Sequence, residues 1–192
     1  MPTARAVKDI ALFGGSFDPP HCAHVMAMSY VLTCTPCTEA WVLPVFHHAF
    51  AKDSAPFDTR LALCRAAFAC FGRRVRVLDV ESRLPSPSYT VDTLRHLTLR
   101  HPGARFHLVV GTDILAETDR WRDFPEVTRL ARMLILNRGA IDPRAVGPVF
   151  PPVSSSAIRV DLAAGRDVSD RVPASVLDLV RKAGLYGSGV PA

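Results

Sequence analysis

The sequence predicts an α/β fold: a doubly wound parallel sheet with a small helical portion at its C-terminal end. Three observations carry this. Five short apolar runs, VKDIALF (7–13), AWVLPV (40–45), VRVLDV (75–80), FHLVVG (106–111) and MLILN (133–137), are nearly continuous, as strands buried on both faces must be. Helical patterns near 21–34, 57–71, 90–101 and 123–132 separate them. The resulting βαβα order, with right-handed crossovers, gives an open Rossmann-like sheet whose ligand sits beyond the carboxyl ends of the strands, where strand order switches.

After Asn137 the strand rhythm gives way to RGAIDPRAVGPVFPPV, a Gly- and Pro-rich connection, and then to two helical segments near 156–164 and 173–183. Pro173 suits a helix start and Gly184 a helix stop. The 192 residues are read as one domain, with the α/β core over about 1–137 and the helical portion over about 138–192.

Composition narrows the function classes. A hydrophobic fraction of 48% with 21% charged residues describes a globular chain with a real core. No stretch approaches the roughly 20 apolar residues of a membrane span, and MPTARAVKD has no apolar signal core, so no membrane role and a cytoplasmic location are expected. Five cysteines form no paired framework, as expected of a reducing compartment. The net charge of +5 suits an anionic partner, but Lys and Arg are scattered among acids without a basic block, which argues for a small phosphorylated substrate and against nucleic acid. A homo-oligomer stays open.

The stretch following the first strand, GGSFDPPHCAH (14–24), holds the densest chemistry. Gly14 and Gly15 allow a sharp turn out of the strand and a close backbone approach to a ligand. Ser16 adds a hydroxyl, and Pro19-Pro20 stiffens the lead into a helix whose first free N–H groups suit a phosphate. His21 and His24, three apart, share a helix face and can donate to a phosphoryl group as charge builds on it. The plainer alternative is a turn followed by a surface histidine pair. There is no G-x-x-x-x-G-K-[ST] loop and no G-x-G-x-x-G after the first strand. The C-x-x-C of Cys34 and Cys37 falls at the end of the first helical segment, the wrong place for a thioredoxin-like pair, and no second C-x-x-C completes a zinc site.

GGSFDPPHCAH resembles the G-G-[ST]-F-[DN]-P-x-H-x-G-H signature of the HxGH nucleotidyltransferases, and nearly the whole chain is similar to the nicotinate-mononucleotide adenylyltransferases among them. VSSSAIR (153–159) resembles their I-S-S-T-x-I-R motif. The resemblance implies adenylyl transfer from ATP to nicotinate mononucleotide, with Mg²⁺ held mainly by substrate phosphates. His21, His24 and Arg159 would act on the reacting phosphates. Gly14, Gly15, Ser16, Phe17, Ser154, Ser155 and Ser156 would bind ATP, with Asp113 near its ribose and Lys52 as a loop cation.

SYTVDTL (88–94), VVGTDIL (109–115), RWRDF (120–124) and LNRG (136–139) resemble the family's pyridine-nucleotide pocket. The backbone at Thr90 would then face the pyridine substituent, Trp121 would stack on the ring, and Arg138 would approach the mononucleotide phosphate. The family's glycine between the histidines is Ala23 here, which adds a methyl where adenine is expected to pack. Phosphopantetheine or nicotinamide mononucleotide as acceptor, and a non-catalytic nucleotide-binding regulator, are the competing readings.

Overall fold

The computed structural model describes residues 7–47, 54–139 and 141–187. Its strands are β1 (Lys8–Gly15), β2 (Glu39–Pro44), β3 (Val75–Val77), β4 (Ala104–Gly111), β5 (Ala131–Arg138) and β6 (Val146–Phe150). They form one sheet in the order β3-β2-β1-β4-β5-β6, with every neighbouring pair parallel. The order reverses between β1 and β4, so the crevice expected of a doubly wound sheet opens at the end of β1.

The helices are α1 (Cys22–Cys34), α2 (Phe57–Phe68), α3 (Thr90–Arg100), α4 (Phe124–Leu130), α5 (Ser155–Ala163) and α6 (Ala174–Lys182). The continuous apolar runs are explained by the period of two along each strand. Ala11, Val42, Val109 and Leu136 point to one face and pack with Met28 of α1, Leu63 of α2, Ile158 of α5 and Val176 of α6. Ile10, Leu12, Trp41, Leu108 and Ile135 point to the other and pack with Val91 and Leu94 of α3 and Val127 of α4. The C-terminal helices therefore share the main core with α1 and α2. Among the described residues no helix is long and apolar enough to cross a membrane.

Three details differ from the sequence reading. The 138–153 connection contains β6, an edge strand pairing Leu136 with Val146 and Arg138 with Phe150. Its Pro148 and Gly147 argue against a central strand, but an edge tolerates a missing N–H. Gly147, at φ +82°, comes so close to the Tyr30 ring that a β-carbon there would overlap it. Second, β1 runs through Gly14 and Gly15, which pair with Leu43 and Pro44, so the turn begins at Ser16. The neighbouring strand, extending equally far, holds two residues that alone would favour a turn. Third, β3 stops at Val77, and a tight 3-10 turn occupies Val80–Arg83.

Candidate active site

The loop between β1 and α1 is held from three sides. Phe17 adopts φ +49° and turns its ring inward, edge-on to Phe13, Phe68 and His24. Its side chain is buried, with the ring against His24, so any contact Phe17 makes with ATP is left to its backbone. The buried Asp18 accepts hydrogen bonds at Oδ1 from the Ala55 N–H (3.2 Å) and the Tyr186 hydroxyl (2.6 Å). The Arg60 guanidinium, 3% exposed, donates to the carbonyls of Ser16, Ala55 and Phe46.

α1 begins at Cys22, with His21 as its N-cap in extended conformation, and the two imidazoles stack with centroids 3.6 Å apart. The Nδ1 of His24 accepts from the backbone N–H of His21 at 3.2 Å. A neutral His24 must therefore carry its proton on Nε2, leaving that atom as a donor. Burial, then the Arg138 charge, pulls His21 down to about 4, while burial, His21 and Arg138 hold His24 well below its usual range. Both rings are neutral donors at neutral pH. The Nδ1 of His21 is buried without a protein partner among the described residues, as suits an atom that meets a ligand.

These two rings make an acid-stability prediction with a definite sign. Between about pH 4 and 6.5 the unfolded chain binds a proton at His21 that the native chain does not, so native stability rises with pH across that window. It is complete above pH 6.5 and lower by about 3 kcal/mol at pH 4, and His24 adds in the same direction. Urea midpoints measured from pH 7.5 to 4 should fall, and the His21→Gln variant should fall less steeply. A midpoint independent of pH over this range, or an unchanged slope in the variant, would contradict the buried-neutral assignment.

The VSSSAIR segment lies against the same loop because β6 delivers it to the carboxyl end of the sheet. Ser154 N-caps α5 by accepting from the Ala157 N–H, Ser155 Oγ donates to the Pro19 carbonyl, and Ser156 lies beside the Arg159 guanidinium. Arg159 donates to the Asp18 carbonyl at 2.8 Å and stands 3.5 Å from its carboxylate. Arg138, at the end of β5, pairs with Asp113 (3.2 Å) and donates to the Val153 carbonyl (2.9 Å). Asp113 is the second residue of a 3-10 segment, Thr112–Arg120, that follows Gly111, where a β-carbon would overlap the Asp113 carboxylate. Gly14, Gly15, Ser16, His21, His24, Asp113, Arg138, Arg159 and the three serines are thus assembled at one end of the sheet. Ala23 is buried, so its methyl lies within the fold.

Thr90 and Trp121 lie with the other face. Thr90 opens α3 behind Tyr89, and Trp121 packs edge-on to Phe124 at 6.0 Å, with Arg122 over the Tyr89 ring at 4.9 Å. The loop after β2 reaches them through the Ser88 N–H, which donates to the His47 carbonyl at 3.0 Å. Lys52 lies outside the described residues. Cys34, at the end of α1, is exposed while Cys37 is buried, and both are free.

The sequence reading assigned nothing to Asp18, Arg60, Glu81 or Tyr186. The buried Glu81 carboxylate accepts from the Phe46 N–H and the Thr93 hydroxyl, tying the loop after β2 to α3. One signal was present for Arg60: Arg60, Cys64, Ala67 and Phe68 follow i, i+4, i+7, i+8, the buried stripe of α2. Asp18 lies inside the first motif. Glu81 and Tyr186 meet partners too far away in sequence for any local pattern to mark them.

Two motifs that share one loop at the switch point of the sheet fit the class of the nucleotidyltransferases. The cytidylyltransferase-like family matches residues 12–161, and the chain belongs to it. Within that class it is a member of the nicotinate-nucleotide adenylyltransferases. A relative in Anaeromyxobacter dehalogenans, named "Probable nicotinate-nucleotide adenylyltransferase", is 45% identical over 93% of this chain and 97% of its own. One of the same name in Myxococcus xanthus is 40% identical over 95% and 97%. The fold is similar to that of Plasmodium falciparum nicotinic acid mononucleotide adenylyltransferase complexed with NaAD, with a TM-score of 0.80 at 22% identity over 96% of this chain and 100% of that one.

Proposed function

We propose that the chain transfers the adenylyl group of ATP to nicotinate mononucleotide, forming deamido-NAD and releasing pyrophosphate. The observation that carries the reading is the stacked pair of neutral imidazoles at the start of α1, joined through one loop to the Arg159 and serine segment. An oxygen of the mononucleotide phosphate attacks the α-phosphorus in line. The bond from that phosphorus to the bridging oxygen breaks, and pyrophosphate departs with the electron pair. The His24 Nε2–H stabilises the charge gathering on the α-phosphoryl oxygens; the N–H groups of Cys22 and His24 at the start of α1 already donate to the carbonyls of Arg171 and His21.

Arg159 and the serines that open α5 meet the leaving pyrophosphate. Arg138, whose charge reaches both histidines, lies where the attacking phosphate must approach them. Thr90 and Trp121 receive the pyridine end. Mg²⁺ would be held mainly by the phosphates of ATP, where it would offset their negative charge. The free cysteines support a cytoplasmic setting.

Pyrophosphate release, measured with ATP and Mg²⁺ against nicotinate mononucleotide, nicotinamide mononucleotide and phosphopantetheine, tests the proposal. Release should be fastest with nicotinate mononucleotide. Faster release with phosphopantetheine, or ATP binding with no release from any acceptor, would overturn it, the latter in favour of a regulator.

A further inference from the structure

One contact ties the C-terminal end of the described chain to the reacting groups. The turn Leu185–Gly187 follows α6, and within it Tyr186 sits at φ +58°, a conformation uncommon for a residue with a bulky side chain. Its ring packs against the main core, and its hydroxyl reaches the buried Asp18 at 2.6 Å. Asp18 presents its other carboxylate oxygen, and its carbonyl, to Arg159. The result is a chain of contacts from Tyr186 through Asp18 to Arg159.

We propose that Tyr186 is a positioning residue for adenylyl transfer: its phenol orients the Asp18 carboxylate, which in turn aims Arg159 at the phosphates of ATP. The proposal rests on the reading of Arg159 as the cation that meets the leaving group. Burial, and then the hydrogen bond to Asp18, push the phenol's proton affinity up, so it remains a donor throughout the working pH range. Arg159 is only half-buried and on a flexible stem; the Asp18 carbonyl holds its Nη1 at 2.8 Å, and the carboxylate, 3.5 Å from the same nitrogen, narrows the orientations left to the guanidinium. Arg60 also faces this carboxylate, but spends its own donors on backbone carbonyls.

The Tyr186→Phe variant removes one oxygen and keeps the ring. Expected is a fall of about tenfold in kcat/KM for ATP, the scale of a lost hydrogen bond to a charged group, with KM for nicotinate mononucleotide and the melting temperature little changed. In an Arg159→Ala background the same change should have no further effect, a coupling that a merely structural tyrosine would not show. If Arg159→Ala lowers ATP turnover but Tyr186→Phe leaves it within twofold, or if the two losses simply multiply, the positioning role fails while the reading of Arg159 stands. If Arg159→Ala itself leaves ATP kinetics unchanged, that reading fails first. Should Tyr186→Phe not fold, Asp18→Asn serves in its place, with the same selective loss on ATP expected and an equal loss on both substrates overturning the proposal.

Discussion

His24→Ala should lower kcat for pyrophosphate release by about 10²–10³, the effect of deleting one preorganised donor from a site where negative charge develops. Phe17 and Phe13 stand edge-on to the imidazole at 5.0 and 5.8 Å, which fixes its plane, and the His21 N–H occupies Nδ1. Nε2–H is therefore aimed before the substrate arrives, and no reorganisation remains to be done in the transition state. Because the charge it meets grows during transfer, the loss belongs in kcat, with KM for ATP shifting little.

His24→Asn, which retains an amide donor on a shorter stem, should lose less than the alanine variant. Since the ring is already neutral well below pH 7, kcat of the wild-type chain should show no histidine-like rise between pH 6.5 and 8. Steady-state rates over that range check both points. A kcat for His24→Ala within threefold of wild type would remove His24 from the chemistry.

The parts of this site that local sequence revealed are those whose physics is local. Arg159 lies one helical turn past Ser156 and the strand runs alternate between two cores at a period of two, so both could be read from one window of residues. The spacing of His21 and His24 predicts a shared helix face, but His21 caps α1 in extended conformation and its ring meets His24 by stacking. Gly14 and Gly15 were misread because their conformation depends on pairing with β2. β6 was missed because Pro148 and Gly147 are poor strand residues in general and acceptable on an edge, and a window of residues does not say which strand will be last. Phe17 stands in the motif, but no local pattern marks its φ of +49°, which swings the ring into the core. Tyr186 and Asp18 meet only after the whole chain has folded. What sequence reading underestimates here is the support behind the phosphate-facing groups, which is built from distant residues.

Arg60→Met should destabilise the fold by about 3–5 kcal/mol, the usual cost of removing one buried charged partner and stranding the groups it satisfied. Burial pulls the Arg60 guanidinium down from its ordinary value, opposed by the nearby Asp18, and the balance is kept by its donors to the Ser16 and Ala55 carbonyls at 2.9 Å each and to Phe46 at 3.4 Å. Methionine fills much of the volume but offers no donor, so the three carbonyls lose their partner at once, and Asp18 loses a nearby positive charge while keeping Arg159. Lysine restores the charge at a single point and cannot span three acceptors, so Arg60→Lys should recover only part of the loss. The contrast is the Lys8–Glu39 pair at 2.6 Å, whose side chains are 64% and 26% exposed: Glu39→Gln should change stability by less than about 1 kcal/mol despite the shorter distance. Urea unfolding at pH 7.5 reads all three variants. A midpoint lowered by roughly 1.5–2 M for Arg60→Met is expected, given the ordinary dependence of stability on urea for a chain of this size. A midpoint close to that of Glu39→Gln would mean that the loop between β1 and α1 holds its shape without Arg60, and that the packing of Phe17 alone is sufficient to present the histidines.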